Sequence, residues 1–504
     1  MLNSYEKLLL VVSLTGTGVF FTHGAVANVS GNGNYWSAGP SSTSTYARNL
    51  NFNSGNVNPQ NENNRAYGLT VRSASELIRR GWLFFTKKIN IILMIKSDEE
   101  LLLDVFDAYY DARKHKRNTK SQLRFEMDLE HNLVQLYDEI RTRTYSPSRC
   151  MCFITEEPVK REVFASPFRD RVVHHLLFNY LSPLFERQFI YDSYSCRKTK
   201  GTLMAQHRYI HHIRSCSDNY KHTCYILKLD LKGYFMSIHK DCLRKLIMDN
   251  IYKKISQRYD EEHLWLDMLD INLIKFLVDV ILLRDPTHNV LMVGVKDNWI
   301  GLPPSKSLFN SGYGIGLPIG DLTSQLFSNI YLNELDQYCK RDLKCRHYGR
   351  YVDDFYIIDR NANKLKKLIP IIRRFLKSRL QVTLHPKKIS LTCADKGSAF
   401  MGGYIQPYRM MPGKRLIKKF NQQIKMTDRL FNENNEISND LIIEQQNRIN
   451  SYLGFIKHYD SFKLRKNSLN IRSLYKYFYY YSDFLKADLK SKLNNTKIWL
   501  PNME

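Results

Sequence analysis

The chain is 504 residues long, more than one ordinary hydrophobic core, so two to four packing units are expected. A hydrophobic content of 43% with 12% aromatic residues excludes a disordered chain. Seventy-five Lys and Arg against 49 Asp and Glu leave a formal charge of +26, which points to a polyanionic partner, nucleic acid ahead of a membrane surface.

An apolar run from Leu8 to Phe21 follows Lys7 and precedes Ala25-Val26-Ala27, small residues of the kind found at signal cleavage sites. Ser13, Thr15, Gly16, Thr17 and Gly18 interrupt it, and Lys87 and Lys88 break a second run from Trp82 to Ile95. Neither reads as a membrane span. Residues 28–73 are rich in Gly, Ser and Asn and read as loop, linker or disorder. From about Ile95 the pattern becomes globular. Leu102, Val105, Phe106 and Tyr109 mark a helix over Leu101–Arg113, and Phe125, Leu129, Leu133 and Leu136 mark one over Leu123–Tyr137. The basic stretch Arg113 to Arg117 between them is a solvated turn or a phosphate contact. Cys224–Asp230 reads as a strand ending on a carboxylate, and Asp321–Tyr338 as a long helix. Gly349–Asp359 reads as a hairpin with Asp353-Asp354 at its tip. After Gly413 come basic helices, one marked by Leu416, Ile417, Phe420, Ile424 and Leu430 and one by Ile449, Leu453 and Ile456. An aromatic tail, Tyr475 to Phe484, follows.

The nine cysteines are odd in number and contain no CxxC pair, which argues against a disulfide framework and for a reducing cytosol. His211, His212, Cys216, His222 and Cys224 are irregularly spaced and are assigned no metal.

The chemistry-bearing residues are acidic. Phosphoryl transfer from a nucleoside triphosphate needs one cation to activate the attacking hydroxyl and another to stabilise the leaving pyrophosphate, and hard cations take oxygen ligands. A strand-end Asp230 in Lys228-Leu229-Asp230-Leu231-Lys232-Gly233-Tyr234-Phe235 and a hairpin-tip pair in Arg350-Tyr351-Val352-Asp353-Asp354-Phe355 can converge on such ions. A solvated surface hairpin is the plain alternative.

Tyr351-Val352-Asp353-Asp354 resembles the signature of reverse transcriptases, and Asp230 to Phe235 resembles their first palm motif. The block Gly316 to Gln325 resembles the palm motif that positions template and incoming nucleotide. Its Ile319-Gly320 and Ser324-Gln325, where group II intron-like enzymes carry Gln-Gly and Ser-Pro, resemble the enzymes of diversity-generating retroelements. Lys160 to Ala165, Phe168 to His175 and Tyr194 to Lys198 are similar to the fingers motifs. His385 to Lys388 and Phe400 to Tyr404 are similar to later palm segments.

The resemblance implies an α+β right-hand polymerase with fingers, a palm of antiparallel sheet plus helices, and an α-helical thumb. Residues 94–222 would form N-terminal helices and fingers, 223–412 the palm with an insertion loop at 284–316, and 413–504 the basic thumb. Asp230, Asp353 and Asp354 would be catalytic and, with Leu231, would hold two Mg2+ ions, Mn2+ being a substitute. Arg161, Phe235, Gly320, Gln325 and Lys387 would contact the nucleotide. Phe235 would act as a steric gate against ribose, Arg161 as the triphosphate clamp, and Lys387 or Lys388 as proton donor to pyrophosphate. Gly320 would let backbone approach the base pair. Arg171 and Arg197 would be structural or template contacts, and Ile319 with Gln325 would relax fidelity. Expected partners are dNTPs, template-repeat RNA, the RNA–DNA duplex and a small basic accessory variability protein, with no membrane. The implied setting is the cytoplasm of a bacterium, the gene being bacterial or phage-borne.

Gly31 to Ser37 and Asn49 to Arg72 resemble the tail of a C-type-lectin-like variable protein. Residues 1–93 are then either translated template DNA joined to an enzyme that begins at Met94, or a fused binding domain. The first is preferred, because about 60 residues of such a tail could hardly bury a core. The competing functions are a group II intron-type or other bacterial reverse transcriptase of ordinary fidelity, and a non-catalytic RNA-binding protein.

Overall fold

The computed structural model describes residues 33–40, 46–52, 57–64, 98–114, 118–157, 159–256, 270–433 and 437–490. The apolar runs at 8–21 and 82–95, the basic residues 115–117 and the C-terminal residues 491–504 lie outside them. Among the described residues no helix is long and apolar enough to cross a membrane. The chain divides into two units, Met1–Met94 and Ile95–Glu504.

In the first unit, β1 (Gly33–Pro40), β2 (Tyr46–Phe52) and β3 (Val57–Asn64) pair antiparallel in that order. Tyr35 lies opposite Leu50 and Phe52 opposite Val57. Composition points to loop, linker or disorder here, and the structure has paired strands instead. Asn-rich composition disfavours strands only weakly, and pairing between distant residues overrides local preference.

The second unit opens with α1 (Asp98–Arg113), α2 (Lys120–Glu126) and α3 (Leu129–Arg141). The single helix expected from Leu123 to Tyr137 is broken at Met127-Asp128. Asp128, at φ −138° and ψ 63°, starts a new helix, and the Asn132 side chain donates to the Phe125 carbonyl across the break. The apolar spacing survives the break, which is why periodicity alone did not reveal it.

A three-stranded sheet follows, with β4 (Cys150–Thr155) paired to β5 (Arg161–Ala165). Then come α4 (Phe168–Glu186), α5 (Thr202–Ser217), β6 (Tyr225–Leu229), α6 (Lys240–Ser256) and α7 (Ile271–Leu282). β7 (Val290–Met292) returns to pair parallel with β4, so the 284–316 segment joins this sheet. Buried Glu162 fixes it there, accepting from Trp299 Nε1 (2.9 Å), Ser307 Oγ (3.0 Å) and the Leu308 amide (2.7 Å).

The central sheet is completed by α8 (Leu322–Gln337), β8 (His347–Tyr351), β9 (Asp354–Asp359), α9 (Ala362–Arg379) and β10 (Ser390–Cys393). Its strand order is β10-β6-β9-β8, all antiparallel. Because side chains alternate along a strand, the two faces feed different cores. Leu227, Leu229, Phe355 and Ile357 face Phe327, Ile330 and the other helices of the large core, whereas Ile226, Tyr356 and Ile358 face Tyr209, Ile213 and Phe400. Helices thus cover one face entirely, while α5 and a small sheet cover the other. That small sheet is β11 (Ser398–Phe400), β12 (Gly403–Gln406) and β13 (Arg409–Pro412).

The last region packs α10 (Lys414–Glu433), α11 (Asn439–Ile456) and α12 (Phe462–Leu469) around Phe420, Ile424, Ile449, Leu453 and Ile456. The aromatic tail folds into this core: Phe478 is fully buried, and residues 478–480 pair with 487–489. The unit is thus a mixed α+β fold, an antiparallel sheet packed between helices and a small sheet, with a helical C-terminal region.

Candidate active site

Sheet register builds the site. Leu229 pairs with Phe355, so the next residues outward, Asp230 and Asp354, stand opposite one another at the open end of β6 and β9. Both continue the alternation of Ile226 and Tyr356, so both leave the sheet on the same face. Tyr351 pairs with Asp354, leaving Val352 and Asp353 as a two-residue turn. Val352 takes φ +55°, the left-handed conformation that β-branched residues avoid. Beyond β6 the chain continues as a second edge. Leu231 bridges Leu384, the Lys232 amide donates to Thr383 O (2.9 Å), and the His385 amide donates to Asp230 O (2.8 Å).

That edge brings Lys388 to the carboxylates, with Nζ 2.7 Å from Asp230 Oδ2. Lys387, the residue expected at the nucleotide, is exposed, and its amide donates to His385 Nδ1 (3.2 Å). Of the two lysines it is thus Lys388 that meets the carboxylates in this structure. Nothing in His385-Pro386-Lys387-Lys388 distinguishes the two lysines; the turn closed by the Lys388 amide on His385 O does.

The electrostatics are those of like charges pressed together. Burial, then the charge of Asp230, raises the Asp353 carboxyl above its ordinary range, with Lys388 and Arg161 pulling the other way. Burial, then the Asp230 carboxyl and the charge of Asp353, raises Asp354 to about 7. Desolvation works against the Lys388 ammonium, but its bond to Asp230 prevails and raises it. Asp230 is 6% exposed, and its Oδ1 is buried without a hydrogen-bond partner. Among the described residues no three His, Cys, Asp or Glu side chains gather into a closed ligand set. The three carboxylates are neighbours but do not form a finished cage. The donor set still fits a hard divalent cation: every side-chain donor is a carboxylate oxygen, one is orphaned, and their charges repel.

The remaining expected residues surround this end of the sheet. Arg161 opens β5 with its side chain exposed, close enough for its charge to act on Asp353. Phe235 is half-buried between the large core and the fingers cluster, and its carbonyl accepts from the Leu317 amide (2.8 Å). Just before it, Gly233 (φ +54°) lies so near Ser305 O that a Cβ would sit 2.5 Å away. Gly320 (φ +140°) does let backbone approach closely, but what approaches is the Phe164 carbonyl of β5; a Cβ would collide with it. Ile319 packs with Phe164, Met236 and Leu308, and its carbonyl accepts from the Phe164 amide (2.8 Å). Gln325 is exposed on the first turn of α8. Arg197 is structural, donating to Glu186 and to the Ile190 and Ser193 carbonyls.

Sequence reasoning missed two features. Lys228, two residues before Asp230 and on its face, donates to Ala399 O (2.6 Å) and feels Asp354. Its place in a strand of known parity was the available signal. The second is a fully buried ion pair, Arg350 with Asp336, directly behind the turn. Asp336 lies on α8, and no local signal connects it to position 350.

Residues 297–456 match a family model described as reverse transcriptase (RNA-dependent DNA polymerase). No curated protein matches the sequence. Among solved structures, an apo telomerase from Candida tropicalis aligns at 12% identity and TM-score 0.38, covering 64% of this chain and 59% of that one. A truncated apo form from the same organism aligns at 14% and 0.36, covering 53% and 56%. A Candida albicans telomerase with a TWJ fragment of telomeric RNA aligns at 11% and 0.36, covering 69% and 63%. The chain thus spans less than two thirds of each, and superpositions this loose carry no functional argument.

Proposed function

We propose that this chain, which carries a reverse transcriptase domain over residues 297–456, is an RNA-directed DNA polymerase whose active carboxylates are Asp230, Asp353 and Asp354. The observation that carries the reading is the register that sets Asp230 opposite Asp354, with Asp353 in the adjoining turn, at an open strand end. Asp230, Asp353, Asp354 and the Leu231 carbonyl would hold two Mg2+ ions, or Mn2+ in their place. Such ions, when bound, activate a primer hydroxyl and offset the charge of departing pyrophosphate.

The chain's own residues do the rest. Exposed Arg161 receives the triphosphate, its planar guanidinium suited to paired phosphate oxygens. Lys388, already beside Asp230, is placed to give a proton to the leaving pyrophosphate. Phe235 presents its ring beneath the sugar and excludes a 2′-hydroxyl. Residues 94–222 act as helices and fingers, 223–412 as palm, and 413–504 as a basic thumb that grips the template–product duplex through its phosphates. Primer extension on an RNA template with magnesium tests the reading. Wild type extends and Asp353→Asn does not, while RNA binding by the variant persists. Near-normal extension by Asp353→Asn would sink it.

The finer reading is a mutagenic enzyme that copies template-repeat RNA in a bacterial cytoplasm with an accessory variability protein. Ile319-Gly320 and Ser324-Gln325 support it. Ile319 leans on the fingers cluster and Gln325 projects from the same segment, so both can alter how tightly the templating base is held. Changing Ile319→Gln together with Gln325→Pro lowers misincorporation opposite adenine in this reading. An unchanged error spectrum removes both residues from it.

A further inference from the structure

We infer that Arg350 is a positioning residue, whose buried guanidinium holds the strained Val352 turn and thereby sets where Asp353 and Asp354 point. Arg350 and Asp336 are both 0% exposed by side chain. All five guanidinium N–H groups have acceptors. Nε donates to Asp336 Oδ1 (2.8 Å), and Nη2 to Asp336 Oδ2 (2.6 Å) and Ser193 Oγ (3.2 Å). Nη1 donates to Asn329 Oδ1 (3.3 Å) and to the Val352 carbonyl (2.9 Å). Asp336 is itself fixed by the Tyr348 hydroxyl (2.6 Å). The fork therefore joins α8, the 192–194 segment and the turn at a single point.

The Val352 bond is the one that matters for the carboxylates. At φ +55° a valine Cβ crowds its own backbone, and unaided the turn would relax to a different conformation. The two-residue turn adds no sheet pairing of its own, since the ladder ends at Tyr351 and Asp354. The Arg350 bond to Val352 O holds the turn from inside the protein. A lysine could neutralise Asp336 but could not span Asp336, Asn329, Ser193 and Val352 together. Arg350 touches neither substrate nor reacting atoms; it works through the turn.

Its kinetic consequence rests on the polymerase reading above, whereas the turn geometry can be followed without turnover. The experiment follows the backbone NMR signals of labelled Val352 and Asp353 in the full chain and measures primer extension in parallel. In wild type Val352 carries the signature of the left-handed conformation. In Arg350→Lys its signals move toward those of an ordinary turn or strand as the backbone relaxes. The extension kcat drops roughly 10–100-fold while the KM for dNTP stays within about 3-fold, the pattern of misplaced reacting groups. Adding Val352→Gly to Arg350→Lys removes the strain and recovers part of kcat. A folded Arg350→Lys with unchanged Val352 signals and kcat overturns the inference, and so does a double variant with no recovery. If Arg350→Lys does not fold, Val352→Gly and Val352→Asn in the otherwise unchanged chain decide. Relief of strain leaves the melting temperature equal or higher, and a drop in both removes the strain that Arg350 is said to hold. A shifted turn in a chain whose wild type extends no primer would instead reject the polymerase reading alone.

Discussion

The two sides of the β8–β9 turn present opposite solutions to buried charge. Behind the turn, Arg350 and Asp336 form an ion pair with every guanidinium donor used. At the turn, Asp353 and Asp354 share a confined end of the sheet with Asp230, one oxygen of which has no partner. Buried polar groups are normally satisfied, because an unpaired one forfeits its hydration for nothing. The inner site follows that rule and the outer one breaks it. A site left electrostatically unfavourable in the free protein is one arranged for an incoming positive charge, and the satisfied pair behind it keeps that arrangement from relaxing.

Breaking the inner site has the largest effect. Asp336→Ala strands the Arg350 charge in the core and lowers unfolding free energy by about 3–5 kcal/mol, read from urea denaturation. A loss below about 1 kcal/mol would mean that the pair is not buried in solution. Next comes the close approach of the segment before α8 to β5. Gly320→Ala puts a methyl group into the Phe164 carbonyl at a φ that alanine avoids, so stability falls by about 2 kcal/mol or more. Gly301→Ala, where a Cβ meets nothing within 4 Å, serves as the control for φ alone.

The outer site should respond with the opposite sign. Asp354 titrates at about 7 in the folded chain against an ordinary 3.8, so between those values the native state binds more protons than the unfolded one. Its contribution to stability therefore falls as pH rises from about 4 to 7. Asp354→Asn removes that loss. After allowance for partial exposure, the variant is more stable than wild type by about 1–2 kcal/mol at pH 8 and little different at pH 4, while extension is lost. Equal pH slopes for the two proteins would show that folding does not raise the Asp354 carboxyl. The smallest contrast separates adjacent lysines: Lys388→Ala slows extension roughly 10–100-fold, whereas Lys387→Ala stays within about 3-fold. Reversal of that order would restore Lys387 to the site.

Much of this was written locally in the chain. Alternation and turn residues gave the strand ending at Asp230 and the hairpin at Asp353-Asp354. Apolar spacing gave the helices at 322–337, 414–433 and 439–456 within a few residues. Asn-rich composition misled at 33–40, 46–52 and 57–64, where strands pair, and periodicity ran through the break at Met127-Asp128.

The sequence by itself determined which carboxylates could do the chemistry, because an Asp at a strand end and an Asp pair at a hairpin tip are matters of residue type and alternation. Only the tertiary structure decided which of them meet. Lys388 rather than Lys387 reaches Asp230 because a distant edge pairs with the residues after β6, and Gly320 is needed because β5 crosses it. Arg350 finds Asp336 only because α8 packs beneath the sheet. Contacts between residues far apart in the chain leave no periodic trace in it, since their spacing is set by packing rather than by the geometry of one helix or strand.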